Sequence, residues 1–338
     1  MEMILDKRID SLVKLGNAIR DFDTETFDKL AESARNENLW FTTESVEKSL
    51  TGISRFLERD NLIEWTNRYD LKKVSPKKVG LIMAGNIPLV GFHDFLSTLI
   101  SGHHAILKLS SKDSKLLGHL INELLEIEPA FGNYITVQEE FLKNYDAVIA
   151  TGSDNSSKHF EYYFRKYPNV IRKNRTSCAI LTGDETPEEL SLLGNDIFSY
   201  FGLGCRNVSK LFLPIGYDFN ILLNKWDTHK SVIHHHKYAN NYDYQKSILL
   251  VNLLPFLDNG FVLLQENEKL VSPISVLYYE YYENEGALKD QLQSHHQKIQ
   301  CVVGKTELAT VRFGQAQFPE VWDYADGVDT LKFLSNLN

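Results

Sequence analysis

Three cysteines in 338 residues, Cys178, Cys205 and Cys301, are too far apart for a disulfide framework, and their number is odd. Free thiols in a reducing compartment are the expectation, and with them a cytoplasmic location. Positive charge is also scarce. Thirty-six Lys and Arg against 45 Asp and Glu leave a net charge of −9, which argues against nonspecific binding to nucleic acid or to an anionic membrane. A small anionic substrate is not excluded, because it needs only a local basic patch. No apolar run approaches ~20 residues, so no membrane span is expected. The opening stretch MEMILDKRIDSLVKLGNAIRDF spaces its apolar residues as an amphipathic helix, not as a signal peptide. Low-complexity segments, internal repeats and Gly/Ser- or Pro-rich linkers are missing, so composition marks no domain boundary.

What is present is a chain long enough for a large core and two domains. Residues 1–70 carry no proline and read as helices, with Thr43 of TTESVEKSL as a helix cap. From about residue 79 strand and helix alternate. KVGLIMAGN, HAILKLSS, YITVQEEF and YDAVIATGS read as strands, and PLVGFHDFLSTLISGH, KLLGHLINELLEI and DNSSKHFEYYFRKY as helices. Such alternation predicts a parallel sheet with crossover helices and ligand binding at the carboxyl ends of the strands. A second series starts near residue 177: CAILTGD, then a helix through TPEELSLLGNDIFSYFG, then VSKLFLPIG. KSILLVNLLPFL, FVLLQE and ISVLYYEYY read as further strands or short helices.

The stretch GLGCRN sets Cys205 between glycines and Arg206, in a connection from helix to strand. A reactive cysteine needs an exposed sulfur and a stabilised thiolate, and this setting favours a nucleophile over a small buried hydrophobe. Cys178 in SCAIL and Cys301 in IQCVVG read as strand-core residues. Asn86 ends a predicted strand. Its amide can serve a developing oxyanion, worth about 2.7–4 kcal/mol when preorganised, or it can cap a helix starting at Ile87-Pro88. Lys108, with Ser110 and Ser111 after it, closes the next strand and can hold a ribose or phosphate or be a solvated charge. Gly152 and Ser153 close a third strand and open a helix, as an anion site or a plain cap.

Taken in order, GNIPL, LKLSS, ATGS and GLGC resemble the motif series of the aldehyde dehydrogenase superfamily. MAGNIPLVGFHDFLSTLISGH, RKNRTSCAIL, YFGLGCRNVSKLFLP and YADGVDT resemble its acyl-CoA reductase branch, which includes the fatty-acid reductase of bacterial bioluminescence. The resemblance implies an α/β, aldehyde dehydrogenase-like fold with two parallel-sheet-based domains. Residues 1–75 would form a helical segment on the cofactor domain, 76–176 the nucleotide-binding domain, and 177–310 the catalytic cysteine domain. Residues 311–338 would be a C-terminal segment returning to the cofactor domain or to an interface. It further implies Cys205 as nucleophile, Asn86 as oxyanion donor, and Lys108, Ser111, Gly152 and Ser153 as cofactor-binding residues, with no metal. The reaction implied is reduction of a fatty acyl-CoA thioester to an aldehyde through an acyl-cysteine. The alternatives are a short-chain thioester or acyl-phosphate reductase, or an acyl-transferring subunit without reductase activity. Implied partners are an acyl-CoA or acyl-protein thioester, an acyl-activating or acyl-transfer protein, and further copies of the chain.

Departures from the superfamily pattern carry information too. Where aldehyde-oxidising members hold a water-activating glutamate, VIRKNRTS has Ile171 and no acid. General-base help is worth about 10²–10⁴-fold, so hydrolysis of the acyl-enzyme should be disfavoured. Ser111, followed by Lys112, replaces a ribose-binding glutamate, which favours NADPH over the alternative, NADH. Glu268 in EKLVSPIS matches a downstream ribose motif only poorly. His234, His235 and His236 in sequence cannot all face one metal and read as a partly exposed segment, and the pairs at 103–104 and 295–296 as surface residues. LYYEYYENE reads as an edge strand or interface patch.

Overall fold

Apolar residues three and four apart make the first element a helix. In α1 (Leu5–Arg20) Ile9, Leu12, Leu15, Gly16 and Ile19 are buried on one face. In the computed structural model, which describes residues 3–152 and 154–337, three more helices follow: α2 (Thr24–Glu37), α3 (Thr43–Phe56) and α4 (Arg59–Thr66). The cap of α3 is Thr42, one residue before the expected Thr43. Its hydroxyl accepts from the Ser45 amide at 3.2 Å, while Thr43 is the first helical residue.

The chain forms two units, one of Met1–Asn174 with Pro319–Asn338 and one of Arg175–Phe318. In the first, β1 (Lys78–Ile82), α5 (Phe92–Ile100), β2 (His104–Lys108), α6 (Lys115–Ile127), β3 (Ile135–Val137), β4 (Ala147–Thr151), α7 (Asp154–Phe164) and β5 (Asn169–Arg172) alternate as expected. The strands form a wholly parallel sheet in the order β3-β2-β1-β4-β5. Val79, Leu81, Ala105, Leu107 and Ile149 are fully buried, as continuous apolar runs in a covered sheet require. β5 is not apparent in the sequence, because its four residues run straight into Lys173 and Asn174.

The C-terminal stretch belongs to this same unit. Leu331 and Leu334 of the helix Thr330–Ser335 enter its core. Arg172, at the end of β5, ties the stretch down. Its guanidinium donates to Asp94 on α5 at 2.7 and 3.2 Å, to the Ala325 carbonyl at 2.7 Å and to the Thr330 hydroxyl at 2.7 Å. The histidines of the pair at 103–104, both expected at the surface, differ. His104 is half-buried, whereas His103 is fully buried. Its Nδ1 accepts from the Lys77 amide at 3.0 Å, so Nε2 carries the proton for the Leu334 carbonyl at 2.9 Å. Burial pushes its pKa below the usual histidine value.

The second unit holds β6 (Thr176–Ile180), α8 (Pro187–Phe198), β7 (Val208–Pro214), α9 (Phe219–Lys225), α10 (His236–Val251), β8 (Leu257–Asp258), β9 (Leu263–Glu266), β10 (Val276–Tyr282), α11 (Glu285–Ser294) and β11 (Ile299–Val303). The sheet order is β11-β6-β7-β10-β9-β8. It is mixed rather than purely parallel, because β8 runs antiparallel to β9. Most of the apolar run KSILLVNLLPFL is the end of α10 and the turn after it, with Val251 and Leu253 exposed. The tyrosine-rich segment is not at an edge: β10 lies between β7 and β9. It tolerates Glu280 there because Lys210 on β7, 1% exposed, pairs with that carboxylate at 2.8 Å. Among the described residues no helix is long and apolar enough to cross a membrane.

Candidate functional site

In a sheet of this order the chain leaves β1 toward β2 and later returns to β4 on the other side, so the carboxyl ends of β1 and β4 form the switch point where ligands bind. Three of the motifs end on these neighbouring strands. Asn86 lies in the turn after β1, Lys108 ends β2 with Ser111 just beyond, and Gly152 follows β4. Ser153 lies outside the described residues.

Asn86 is exposed, in a turn of residues 86–91 that precedes α5. The N-cap of α5 is Gly91, so Asn86 does not cap a helix beginning at Ile87-Pro88. The turn is gripped from several sides. Asn38 Nδ2 donates to the Gly85 carbonyl at 3.1 Å, Ser49 Oγ to the Pro88 carbonyl at 2.7 Å, and the Leu89 amide to Asp113 Oδ2 at 2.7 Å. Lys108 reaches sideways to the Glu139 carbonyl beyond β3. Ser111 and Lys112 are exposed. Gly152 is required sterically: a Cβ there would stand 2.8 Å from Ser156 and Phe160 of α7.

Cys205 belongs to the other unit and is built there from separate parts. After α8 the residues Tyr200, Phe201 and Gly202 take φ of 51°, 58° and 78°, an unusual left-handed succession that turns the chain toward β7. Cys205 is half-buried in the loop that follows, between buried Gly204 and Asn207. Asn207, 2% exposed, organises this loop. Its Oδ1 accepts from the Gly204 amide at 2.8 Å, its backbone amide donates to the Gly204 carbonyl at 3.0 Å, and its Nδ2 donates to the carbonyls of Asp196, Ile197 and Ser199. These carbonyls lie at the end of α8, where helix carbonyls run out of intrahelical donors. Ser177 on β6 donates to the Cys205 carbonyl at 3.0 Å. Asp196, fully buried, accepts the amides of Gly314 and Ala316 at 2.6 and 2.9 Å. Arg206 Nη1 reaches the Ala316 carbonyl at 3.4 Å.

The carbonyls on both sides of Cys205 are therefore fixed, Gly204's by Asn207 and Cys205's own by Ser177. Because a peptide unit is planar and trans, a fixed carbonyl fixes the direction of its N–H. The Cys205 amide is thus preset in orientation, the property an oxyanion donor needs. Cys178 and Cys301 are buried strand residues on β6 and β11, and burial pushes the Cys178 thiol far up. Of the three cysteines only Cys205 is partly exposed. His234 and His236 are exposed, and His235 packs on Phe201 with ring centroids 4.5 Å apart. Sequence reasoning missed Ser177, Asp196, Asn207 and Asp113. Asn207 was the one within reach, since a polar residue two places after a candidate nucleophile and just before a buried strand needs a partner.

A family model described as acyl-CoA reductase (LuxC) matches residues 7–213, more than half of the chain. The long-chain acyl-protein thioester reductase of Aliivibrio fischeri is 23% identical over 181 residues, which is 48% of this chain but only 38% of that protein's length. Among solved structures, the indole-3-acetaldehyde dehydrogenase of P. syringae in complex with NAD+ and IAA superposes with a TM-score of 0.69 at 12% identity, covering 92% of this chain and 76% of that one. An NAD+ complex of aldehyde dehydrogenase from Bacillus cereus gives 0.67 at 14% identity, with the same coverage. At such identities the likeness is one of fold, an aldehyde dehydrogenase-like α/β architecture. With the match over residues 7–213, the chain belongs to the acyl-CoA reductase (LuxC) family.

Proposed function

We propose that the protein reduces a fatty acyl thioester to the aldehyde, with NADPH as reductant and Cys205 as the covalent carrier of the acyl group. The observation that carries this reading is the Cys205 loop, in which the half-buried thiol sits between two carbonyls pinned by Asn207 and Ser177. The Cys205 thiolate attacks the thioester carbon, forming a new thioester and releasing the donor thiol. The oxyanion of that step is assigned to the Cys205 amide, and Asn86 is the side-chain donor that the family resemblance implies. Arg206 supplies positive charge beside the thiolate.

Lys108, Ser111, Gly152 and Ser153 are the residues assigned to the dinucleotide. Their fit rests on the position of Lys108 and Ser111 at the carboxyl end of β2 and of Gly152 at that of β4, the two strands that flank β1, and on the chemistry of a lysine and a hydroxyl there. When bound, the nicotinamide supplies the hydride that reduces the acyl carbon. Cys205 then leaves as thiolate and the aldehyde is released. The preference for NADPH is supported by exposed Ser111 and Lys112, where an acid would repel a 2′-phosphate. Long acyl chains and a protein-bound thioester donor are favoured by the name of the Aliivibrio relative, and CoA by the family description.

The test is purified protein with NADPH and a panel of acyl-CoA and acyl-carrier thioesters, with the aldehyde identified by mass. NADPH oxidation with aldehyde formation supports the reading. Acyl exchange between thiols without NADPH oxidation would favour an acyl-transferring protein instead.

A further inference from the structure

Asp113 is a carboxyl group that the proposed reaction does not use, yet it sits between two loops that the reaction needs. It is 6% exposed, in the loop that leads from Ser111 into α6. Its Oδ2 accepts the Leu89 amide at 2.7 Å, and its Oδ1 is buried with no hydrogen-bond partner among the described residues. Leu89 has φ +57°, a conformation that leucine keeps only where its surroundings hold it. The two loops also touch directly: a Cβ on Gly85 would lie 2.5 Å from Ser110 Oγ.

We propose that Asp113 is a positioning residue that locks the Asn86 turn against the Lys108–Ser111 loop, so that Asn86 is set for its oxyanion role. This rests on the reading of Asn86 given above. Burial and the nearby charge of Glu37 act in the same direction, and the Asp113 carboxyl is pushed up to about 7. Glu37, on α2, is itself held by the amides of Ser114 and Lys115 at 2.9 and 3.0 Å. The facing turn, Met83 to Gly91, contains no titratable side chain. Ser49 is the contact from α3 and is neutral, and the nearest charge in the sequence of α5, Asp94, is engaged by Arg172. Lys112 and Lys115, on the same loop as Asp113, are exposed. A carboxyl whose pKa is raised by burial holds its proton more tightly in the locked place than when the turn is released, so losing that proton as pH rises through 7 favours release. The lock therefore loosens with rising pH.

The experiment measures two quantities between pH 6 and 8 for the wild type, Asp113→Asn, Asp113→Ala and Asn86→Ala. One is the rate of donor-thiol release from a long-chain acyl-CoA without any reductant. The other is hydrogen exchange of the peptide spanning residues 84–91. The wild-type acylation rate should carry a component that falls with rising pH along a limb centred near 7, and Asp113→Asn should remove that limb. Asp113→Ala should slow acylation by about tenfold, the equivalent of one hydrogen bond, and speed exchange of the 84–91 peptide. If Asn86→Ala slows acylation while Asp113→Asn keeps the limb and Asp113→Ala keeps the exchange rate, the lock is refuted and the reading of Asn86 stands. If Asn86→Ala leaves acylation unchanged, the reading of Asn86 is refuted and this inference falls with it. Should either Asp113 variant fail to fold, Ser49→Ala replaces it, since it releases the same turn at Pro88. Faster exchange with slower acylation then supports the lock, and an unchanged pair overturns it.

Discussion

The hydroxyl of Ser177 donates to the carbonyl oxygen of Cys205 at 3.0 Å, joining strand β6 to the backbone of the candidate nucleophile. The Ser177 Oγ in turn accepts from the Cys301 amide at 3.2 Å, so Ser177 is held from behind. Ser177→Ala should remove the grip on Cys205 and leave the Cys301 amide without its acceptor. Acylation should slow by roughly tenfold, with the thioester KM little changed, because the lost bond orients a reacting group rather than binding substrate. Pre-steady-state thiol release against substrate concentration gives both numbers.

Asn207 has a larger structural share. Replacing it with Ala leaves one buried amide and three carbonyls without that side chain, at roughly 1–3 kcal/mol for each group left unsatisfied. Asn207→Asp should be worse than Asn207→Ala, since a carboxylate facing three carbonyls repels where the amide donated. Denaturant midpoints of the two variants should fall in that order. The opposite order would mean that the loop relaxes around the charge.

Arg172 and Asp94 form a buried pair, with side chains 4% and 12% exposed. Truncating one partner strands the other, and Arg172→Ala should cost about 3–5 kcal/mol. It also releases Ala325 and Thr330, so the C-terminal segment should become sensitive to protease. Adding Asp94→Leu to Arg172→Met should recover part of the loss. A double-mutant cycle on unfolding free energies measures the recovery.

Asp113 gives a stability signature of defined sign. Its carboxyl is raised from 3.8 to about 7 in the folded chain, so the folded state holds the proton more tightly than the unfolded state. Stability from this group is fully present below about pH 4, where both states are protonated. It declines as pH rises toward 7 and levels off above it. The stability of the wild type relative to Asp113→Asn should therefore fall between pH 4 and 8. A difference that rises over this range would contradict the assignment.

Most of the elements around the site could be read directly from the chain. Continuous apolar runs gave β1, β2 and β4, because both faces of the parallel sheet are covered, and Gly-Asn or Gly-Ser endings located the turns. What failed to show had physical causes. β5 is four residues long and its last residue is Arg172, whose charge is neutralised by Asp94, a partner far away in sequence. The central place of β10 was hidden by Glu280, which is acceptable there only because Lys210 neutralises it from β7. The end of α10 reads as either strand or short helix because Leu250 and Val251 are apolar, yet both are exposed on a helix. Ser177, Asn207 and Asp113 are ordinary polar residues in sequence. Their roles come from backbone groups that the fold brings to them.

The central claim is a covalent acyl group on Cys205. Incubation with a long-chain acyl thioester in the absence of reductant, followed by intact-protein and peptide mass spectrometry, tests it most directly. The account predicts one acyl adduct on the peptide containing Cys205, none in Cys205→Ala, slow loss in water, and discharge to aldehyde on adding NADPH. Slow loss is the expectation because VIRKNRTS holds no acid that could activate water. An adduct on Cys178 or Cys301, equal labelling of Cys205→Ala, or an adduct that hydrolyses rapidly to the free acid would contradict it.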